Sequence, residues 1–437
     1  MRVMIRLLAL SALVLVAGLA QAQSRDLLEI RITQGVEGAL PIAVVPFDWH
    51  GDGTPPENVS AVVVSDLRRS GRFAPMPNAD LPSRPAAFSD VNFKDWRLLG
   101  IDNLVIGQVK QIQPGNYAVE FRVIDVVTAK QLAGFRIPTT TDNLRLTAHH
   151  VSDLIFEAIL KVKGAFATRI AYITVEKLGS KRSRYQLQIA DSDGYNARTI
   201  LESPEPLLSP AWSPNGNRIA YVSFEERNSA IYVQDIRTGK REKVAFGRGI
   251  NSGPSFSPDG RRLAMTRSAD GNPDIYVMDL DTRKTRRLTT HPAIDTEARW
   301  KPDGRSLVFT SDRGGGPQIY EIAVDGGQPR RLTFNMGNYN ARASLSPDGK
   351  KMAVVNGGDK GYRIALVDLE KDRFDVLTNA RLDESPSFAP NGAMIIYATM
   401  GSKGTELAAV SADGRVKQRL ALQKGEVREP AWGPLRP

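Results

Sequence analysis

Cysteine is absent from the 437-residue chain. That excludes disulfides, thiol nucleophiles, CxxC redox chemistry and cysteine-bound zinc together, and leaves packing alone to hold the fold. Histidine is nearly as scarce, with four residues, His50, His149, His150 and His291. His149 and His150 fall in a predicted helix, where neighbours in sequence do not share a face, so they are not expected to form a paired metal site. No G-x-S-x-G elbow and no G-x-x-x-x-G-K loop occurs, so neither a serine hydrolase nor a P-loop nucleotide site is expected. Only one long apolar run exists, Leu7 to Leu19, following Arg2 and Arg6 and preceding Ala20-Gln21-Ala22. At about 13 residues it is short of the ~20 needed to span a bilayer, and it reads as a signal peptide over residues 1–22. Export with cleavage near Ala22 is expected. The net charge of +10 is scattered over predicted turns, which argues against nucleic acid as a partner.

Glycine and proline, by contrast, are plentiful, at 37 and 27 residues, and they are ordered. From Ser209 onward one line recurs: Ala211-Trp212-Ser213-Pro214-Asn215-Gly216, Ser255-Phe256-Ser257-Pro258-Asp259-Gly260, Arg299-Trp300-Lys301-Pro302-Asp303-Gly304, Ser344-Leu345-Ser346-Pro347-Asp348-Gly349 and Ser387-Phe388-Ala389-Pro390-Asn391-Gly392, with a truncated copy at Ala431-Trp432-Gly433-Pro434. The large apolar residue repeats at spacings of 44, 44, 45, 43 and 44. Proline presets φ, Asp or Asn suits the next position and Gly takes the left-handed one, so each copy specifies a hairpin turn. Four strands every ~44 residues make a propeller blade. Residues 170–201 carry the second, third and fourth strands of a blade but lack the first, which Glu429-Pro430-Ala431-Trp432 supplies. A six-bladed β-propeller over residues 168–437, closed by the C-terminal strand, is therefore expected, with the aromatic column packed between blades.

Residues 23–165 lack the repeat and read as a mixed α/β N-terminal domain. Strands are expected at Leu28 to Thr33, Pro41 to Phe47, Asn103 to Ile112, Tyr117 to Val127 and Gln131 to Pro138. One helix is expected over 57–70, burying Val59, Val62, Val63 and Leu67. Another is expected from an Asp142 cap to Gly164, with Ala148, Val151, Ile155, Ala158 and Val162 on its stripe. Asp191-Ser192-Asp193-Gly194-Tyr195-Asn196 has the look of a calcium loop, but Asn196 stands where such a loop needs glycine, and a tight turn is the better reading.

Three stretches carry a family likeness: Pro41-Ile42-Ala43-Val44-Val45-Pro46-Phe47, the run from Asp66 to Phe73, and Gly164 to Tyr172. Together with Asp191 to Asn196, Asp383-Glu384-Ser385-Pro386-Ser387 and Pro430-Ala431-Trp432, they make the whole mature chain resemble the TolB family, the periplasmic component of the Tol-Pal envelope system. The resemblance implies a monomeric, non-enzymatic periplasmic scaffold with no cofactor or metal. Its implied partners are the lipoprotein Pal at the propeller and TolA at the mature N-terminus, with indirect ties to the outer membrane and peptidoglycan and a role in outer-membrane integrity and division. It also implies that Gln23 to Gln34, with Asp26, Leu28, Ile30 and Ile32, is a recognition segment; no pairing for it is evident in the sequence.

Propeller partners bind where the connections between blades converge. Here those connections carry Asn251, Ser252, Asp295, Thr296, Asn340, Asp383, Glu384 and Arg428, the expected mouth residues. Strand order puts the S-P-D-G turns at the opposite end, where the α/β domain should sit. The competing reading is a lactonase- or sialidase-type hydrolase, in which Asp295, Asp383 and Glu384 would converge on a channel cation.

Overall fold

The computed structural model describes residues 29–34, 38–179, 182–401, 404–421 and 425–436. The predicted signal peptide and Asp26 and Leu28 of the recognition segment lie outside them. No described helix is long and apolar enough to cross a membrane.

After β1 (Glu29–Gln34), the first unit is a mixed sheet backed by helices. It contains β2 (Leu40–Val44), β3 (Asp48–His50), α1 (Val59–Arg69), β4 (Phe73–Pro75), α2 (Phe93–Leu98), β5 (Asn103–Gln113), β6 (Asn116–Asp125), β7 (Lys130–Thr140) and α3 (Leu144–Leu160). The sheet order is β4-β2-β5-β6-β7, with β3 also on β5; β2 is parallel to β4 and β5, and β5-β6-β7 are antiparallel. Asn58 caps α1 by accepting from the Ala61 N–H, and Val59, Val62, Val63 and Leu67 are buried on the expected face. Removing each such side chain from water contributes about 1.5–3 kcal/mol.

Two helix readings need correction. Asp142 lies in a short 3-10 turn and α3 starts at Leu144, while the chain leaves the helix at Lys161, whose φ of +60° is left-handed, so Val162 falls beyond it and is exposed. The short α2, which buries Trp96, was not expected at all.

The second unit is a ring of six sheets. Its first blade holds β8 (Arg169–Lys177), β9 (Ser183–Asp191) and β10 (Arg198–Ser203), and its missing innermost strand is Glu426–Trp432, which pairs antiparallel with β8. The other innermost strands are Leu207–Trp212, Asn251–Phe256, Asp295–Trp300, Tyr339–Leu345 and Asp383–Phe388. The terminal strand thus closes the ring. Across the seam, Ile170 and Tyr172 of blade one pack with Ile396, Leu407 and Leu420 of blade six and with Val427 of the closing strand.

The repeat explains the ring's regularity. Gly216, Gly260, Gly304, Gly349 and Gly392 all hold φ between +66° and +71°, and a Cβ on Gly349 would stand 3.2 Å from Pro302 of the preceding turn. Proline and glycine of successive turns therefore touch around the wheel. Arg169, Arg218 and Arg262 extend this latch, each lying over the next blade's aromatic and donating to its turn-glycine carbonyl at 2.9, 3.0 and 3.3 Å.

The α/β unit meets the propeller at the turn end. Arg145 pairs with Asp193 at 2.6 Å, Arg69 donates to Ser192 Oγ at 2.9 Å, Asn391 donates to the Lys163 carbonyl, and Gln418 donates to the Arg69 carbonyl. Gly71, at φ +65°, ends α1 against Val416, where any Cβ would collide. All these propeller residues lie on turns or strand ends opposite the interblade connections, as strand order requires.

Candidate functional site

Each innermost strand breaks register once, between residues 208 and 211, 252 and 255, 296 and 299, 341 and 344, 384 and 387, and 428 and 431. The residue in the bulge is left-handed every time: Ser209, Gly253, Glu297, Arg342, Ser385 and Glu429, with φ from +52° to +58°. Bulges of this kind re-aim a side chain, here towards the axis of the ring. They recur three residues before each large apolar residue of the repeat, so the period itself carries the signal.

Arg342 dominates the axis. Its guanidinium lies 2.8 Å from Glu297, 3.0 Å from Glu429 and 3.7 Å from Glu384, and donates to Ser385 Oγ at 2.8 Å. Glu429 also accepts from the Ser209 N–H at 3.1 Å. Burial alone would lower the Arg342 pKa, but Glu429 and Glu297 hold it well above the ordinary value. Burial would raise Glu429, and Arg342 outweighs it, leaving that carboxyl below its usual range. A cavity of about 280 Å³ surrounds this cluster, lined by Ser209, Arg299, Arg342, Glu429 and the aromatics Trp212 and Trp300. The aromatic column therefore packs between blades and also walls the channel. Burial lowers the Arg299 pKa; its guanidinium donates to the Pro254 and Ala298 carbonyls, both at 3.4 Å.

The expected mouth residues divide by register into two rows. Asn251, Asp295, Asn340 and Asp383 are fully buried. Asn251 donates to the Ser229 carbonyl, Asp295 takes Arg313 at 2.7 Å, and Asn340 bonds Gln318 and the Met336 carbonyl. Burial raises the Asp383 carboxyl pKa. Asn251, Asp295 and Asn340 thereby fasten the interblade connections, and burial leaves none of the four a face for a partner. One residue further on, Ser252, Thr296 and Glu384 are half-buried and Arg428 is exposed. With Asp295 held by Arg313, Asp383 enclosed and Glu384 facing Arg342, the three carboxylates do not converge on a cation site.

Sequence reasoning also missed an apolar rim. Phe246 is 57% and Phe334 53% exposed, Ile250 and Ile294 on the interblade connections are nearly as open, and Tyr362 and Met400, in strands Gly361–Asp368 and Met394–Gly401, are also exposed at that end. Tyr362 meets Tyr339 edge-on at 5.1 Å. Exposed apolar side chains beside the polar Ser252, Thr296 and Arg428 are the composition of a protein-docking surface.

The recognition segment needs a second correction. It is not without a partner in the fold, because β1 pairs antiparallel with the outermost strand of blade six, Lys417–Ala421, with Ile30 opposite Leu420 and Ile32 opposite Gln418. Blade six therefore has five strands.

Residues 156–436 match the model of the TolB beta propeller domain, and residues 28–132 match that of the TolB amino-terminal domain. The chain belongs to the TolB family. It is 61% identical over 410 residues to the Tol-Pal system protein TolB of Thioalkalivibrio sulfidiphilus, covering 93% of this chain and 94% of that one. The same-named protein of Nitrosococcus oceani is 60% identical, with 93% of each chain covered. The crystal structure of TolB from Acinetobacter baumannii superposes with a TM-score of 0.86 at 43% identity, over 93% of this chain and all of that one. The two units and their junction are thus those of a TolB-family protein, and the chain is a Tol-Pal component.

Proposed function

We propose that this protein is a non-enzymatic periplasmic scaffold of the Tol-Pal system. It binds Pal at the propeller mouth and TolA through its mature N-terminal segment, and so supports outer-membrane integrity and constriction at division. The observation that carries this reading is the set of exposed apolar side chains Phe246, Ile250, Ile294 and Phe334 on the interblade connections, at the end of the ring away from the α/β unit. Such a surface suits a folded or extended polypeptide, and the channel carboxylates Glu297, Glu384 and Glu429 are held by Arg342. Ser252, Thr296, Glu384 and Arg428 supply polar contacts at its edge. Asn251, Asp295 and Asn340 act behind them by holding the connections in place.

Titration calorimetry of the signal-free protein with soluble Pal and, separately, with TolA tests both sites. Phe334→Ala and Arg428→Glu should each weaken Pal binding about tenfold or more while leaving TolA binding intact. Removing residues 23–28, which spares β1, should abolish TolA binding alone. Parallel loss of both partners in either variant would refute separate sites, and turnover in a hydrolase panel would refute the non-enzymatic reading.

A further inference from the structure

A second cluster of buried charge lies where the two units meet, away from the propeller mouth. Asp66 and Arg69 come from α1, Arg145 and His149 from α3, and Ser192 and Asp193 from the turn between β9 and β10. Among the described residues Asp66, His149 and Asp193 form a group whose ligand atoms all lie within 4.8 Å of one another. His149 is 0% exposed. Its Nδ1 stands 2.7 Å from Asp66 Oδ2, and its Nε2 points at Asp193 Oδ2 at 3.6 Å, with no hydrogen-bond partner nearer among the described residues.

We propose that His149 is a proton-operated latch between the α/β unit and the propeller, its doubly protonated ring bridging Asp66 on one side to Asp193 on the other. The geometry decides this. With Nδ1–H donated to Asp66, a neutral ring turns the Nε2 lone pair on a buried carboxylate, which is repulsive. A second proton converts the same contact to attraction. A divalent cation could occupy that lone pair instead, but both carboxylates are already engaged by guanidinium groups: Arg69 Nε at 3.0 Å from Asp66 and Arg145 Nη2 at 2.6 Å from Asp193. Adding a dication beside two arginines is the costlier choice.

The surrounding charges agree. Burial would strip the proton from His149, but Asp66 and Asp193 outweigh burial and the opposing Arg69, and its pKa is raised. Along α3, His150 is lowered by burial, Arg436 and His149, and Asp153, which accepts from the Phe166 and Ala167 N–H groups, is pushed up by burial to about 6. On the propeller side, burial raises Asp191, while burial of Asp193 is outweighed by His149, Arg69 and Arg145. Glu57, just ahead of α1, faces Arg145 at 3.5 Å. A raised histidine stabilises fully below its unfolded value near 6.5 and loses that contribution as pH climbs through its folded value. Asp153 relaxes below about pH 6, so the two groups act in separate windows. Docking of the units should therefore be tight in mildly acidic medium and loosen as pH rises.

Amide hydrogen exchange of the intact mature protein from pH 6 to 9, corrected for intrinsic rates, reads this directly. Protection over residues 191–196 and 66–69 should fall in one step, on the order of tenfold per pH unit across it, and His149→Gln should remove the step. Asp193→Asn, which lies on the propeller turn outside α1 and α3 and keeps the side chain's shape, should move the step to lower pH, which keeps the test informative if His149→Gln folds poorly. Nitrogen-15 shifts of the His149 ring should report imidazolium at the acid end of this range and its loss through the same step. A flat wild-type profile, an unchanged step in Asp193→Asn, a ring already neutral at pH 6, or stoichiometric zinc binding abolished by His149→Gln would each overturn the proposal. None of these readouts depends on Pal or TolA.

Discussion

At the scale of single residues, the channel cluster is the place where one side chain holds several others in check. Arg342 stands against Glu297, Glu384 and Glu429 from three different blades. Replacing it with Met keeps the bulk and removes the charge, leaving buried carboxylates unpaired, and should cost about 3–5 kcal/mol in denaturant unfolding at pH 7. The sign of the pH dependence follows from Glu429, whose pKa is depressed in the folded state. Its stabilisation is complete above its unfolded value near 4.5 and drains away as pH falls through the folded value. The gap between wild type and Arg342→Met should therefore be widest near neutrality and shrink in acid. A constant gap across pH would show that packing, not charge, was lost.

At the scale of elements, what the sequence disclosed follows from how far apart the interacting partners lie. The blade strands and their turns were legible because a hairpin is a local instruction, repeated at a fixed period. The missing strand of blade one could be inferred because its absence at residue 170 and its presence at 432 are two ends of one count. The pairing of β1 with Lys417–Ala421 was not legible, since nothing in a six-residue strand names a partner at the far end of the chain. The six-residue α2 buries only Trp96, too little to leave a periodic pattern. Asp66 and Arg69 of α1 are buried where the propeller turn and α3 pack over them, a contact between distant segments that no local pattern announces. Among the mouth residues, a shift of one position along the strand separates structural anchors from accessible side chains, which composition alone cannot resolve. An element-level test follows. Deleting residues 29–34 should bare the edge of blade six and strip hydrogen-exchange protection from the amides of Lys417–Leu420, with the other five blades unchanged.

At the scale of the whole molecule, the ring is stable only as a closed object. Each blade packs on its neighbours, and the seam between blades six and one depends on a single strand. Trp432 donates its indole N–H to Thr168 Oγ1 at 2.9 Å, and Trp212 of the next blade donates to the Ala431 carbonyl at 3.0 Å. Trp432→Ala should cost about 3 kcal/mol. Ending the chain after Gly425 should do more, exposing the seam core around Tyr172 and Leu407. Size-exclusion chromatography should then show self-association, and the unfolding transition should broaden as blades lose their shared cooperativity.

The closing strand has a further consequence in time. Trp432 meets Thr168 across 264 residues of sequence, one of the largest loops this chain can draw shut, so the entropy of that encounter is met only after the intervening blades have condensed. A polypeptide made from its N-terminus delivers its clasp after everything the clasp must fasten. Until then the molecule is an open arc with two sticky margins, and a premature stop codon near the 3′ end of its gene would be far more damaging than the few amino acids it removes.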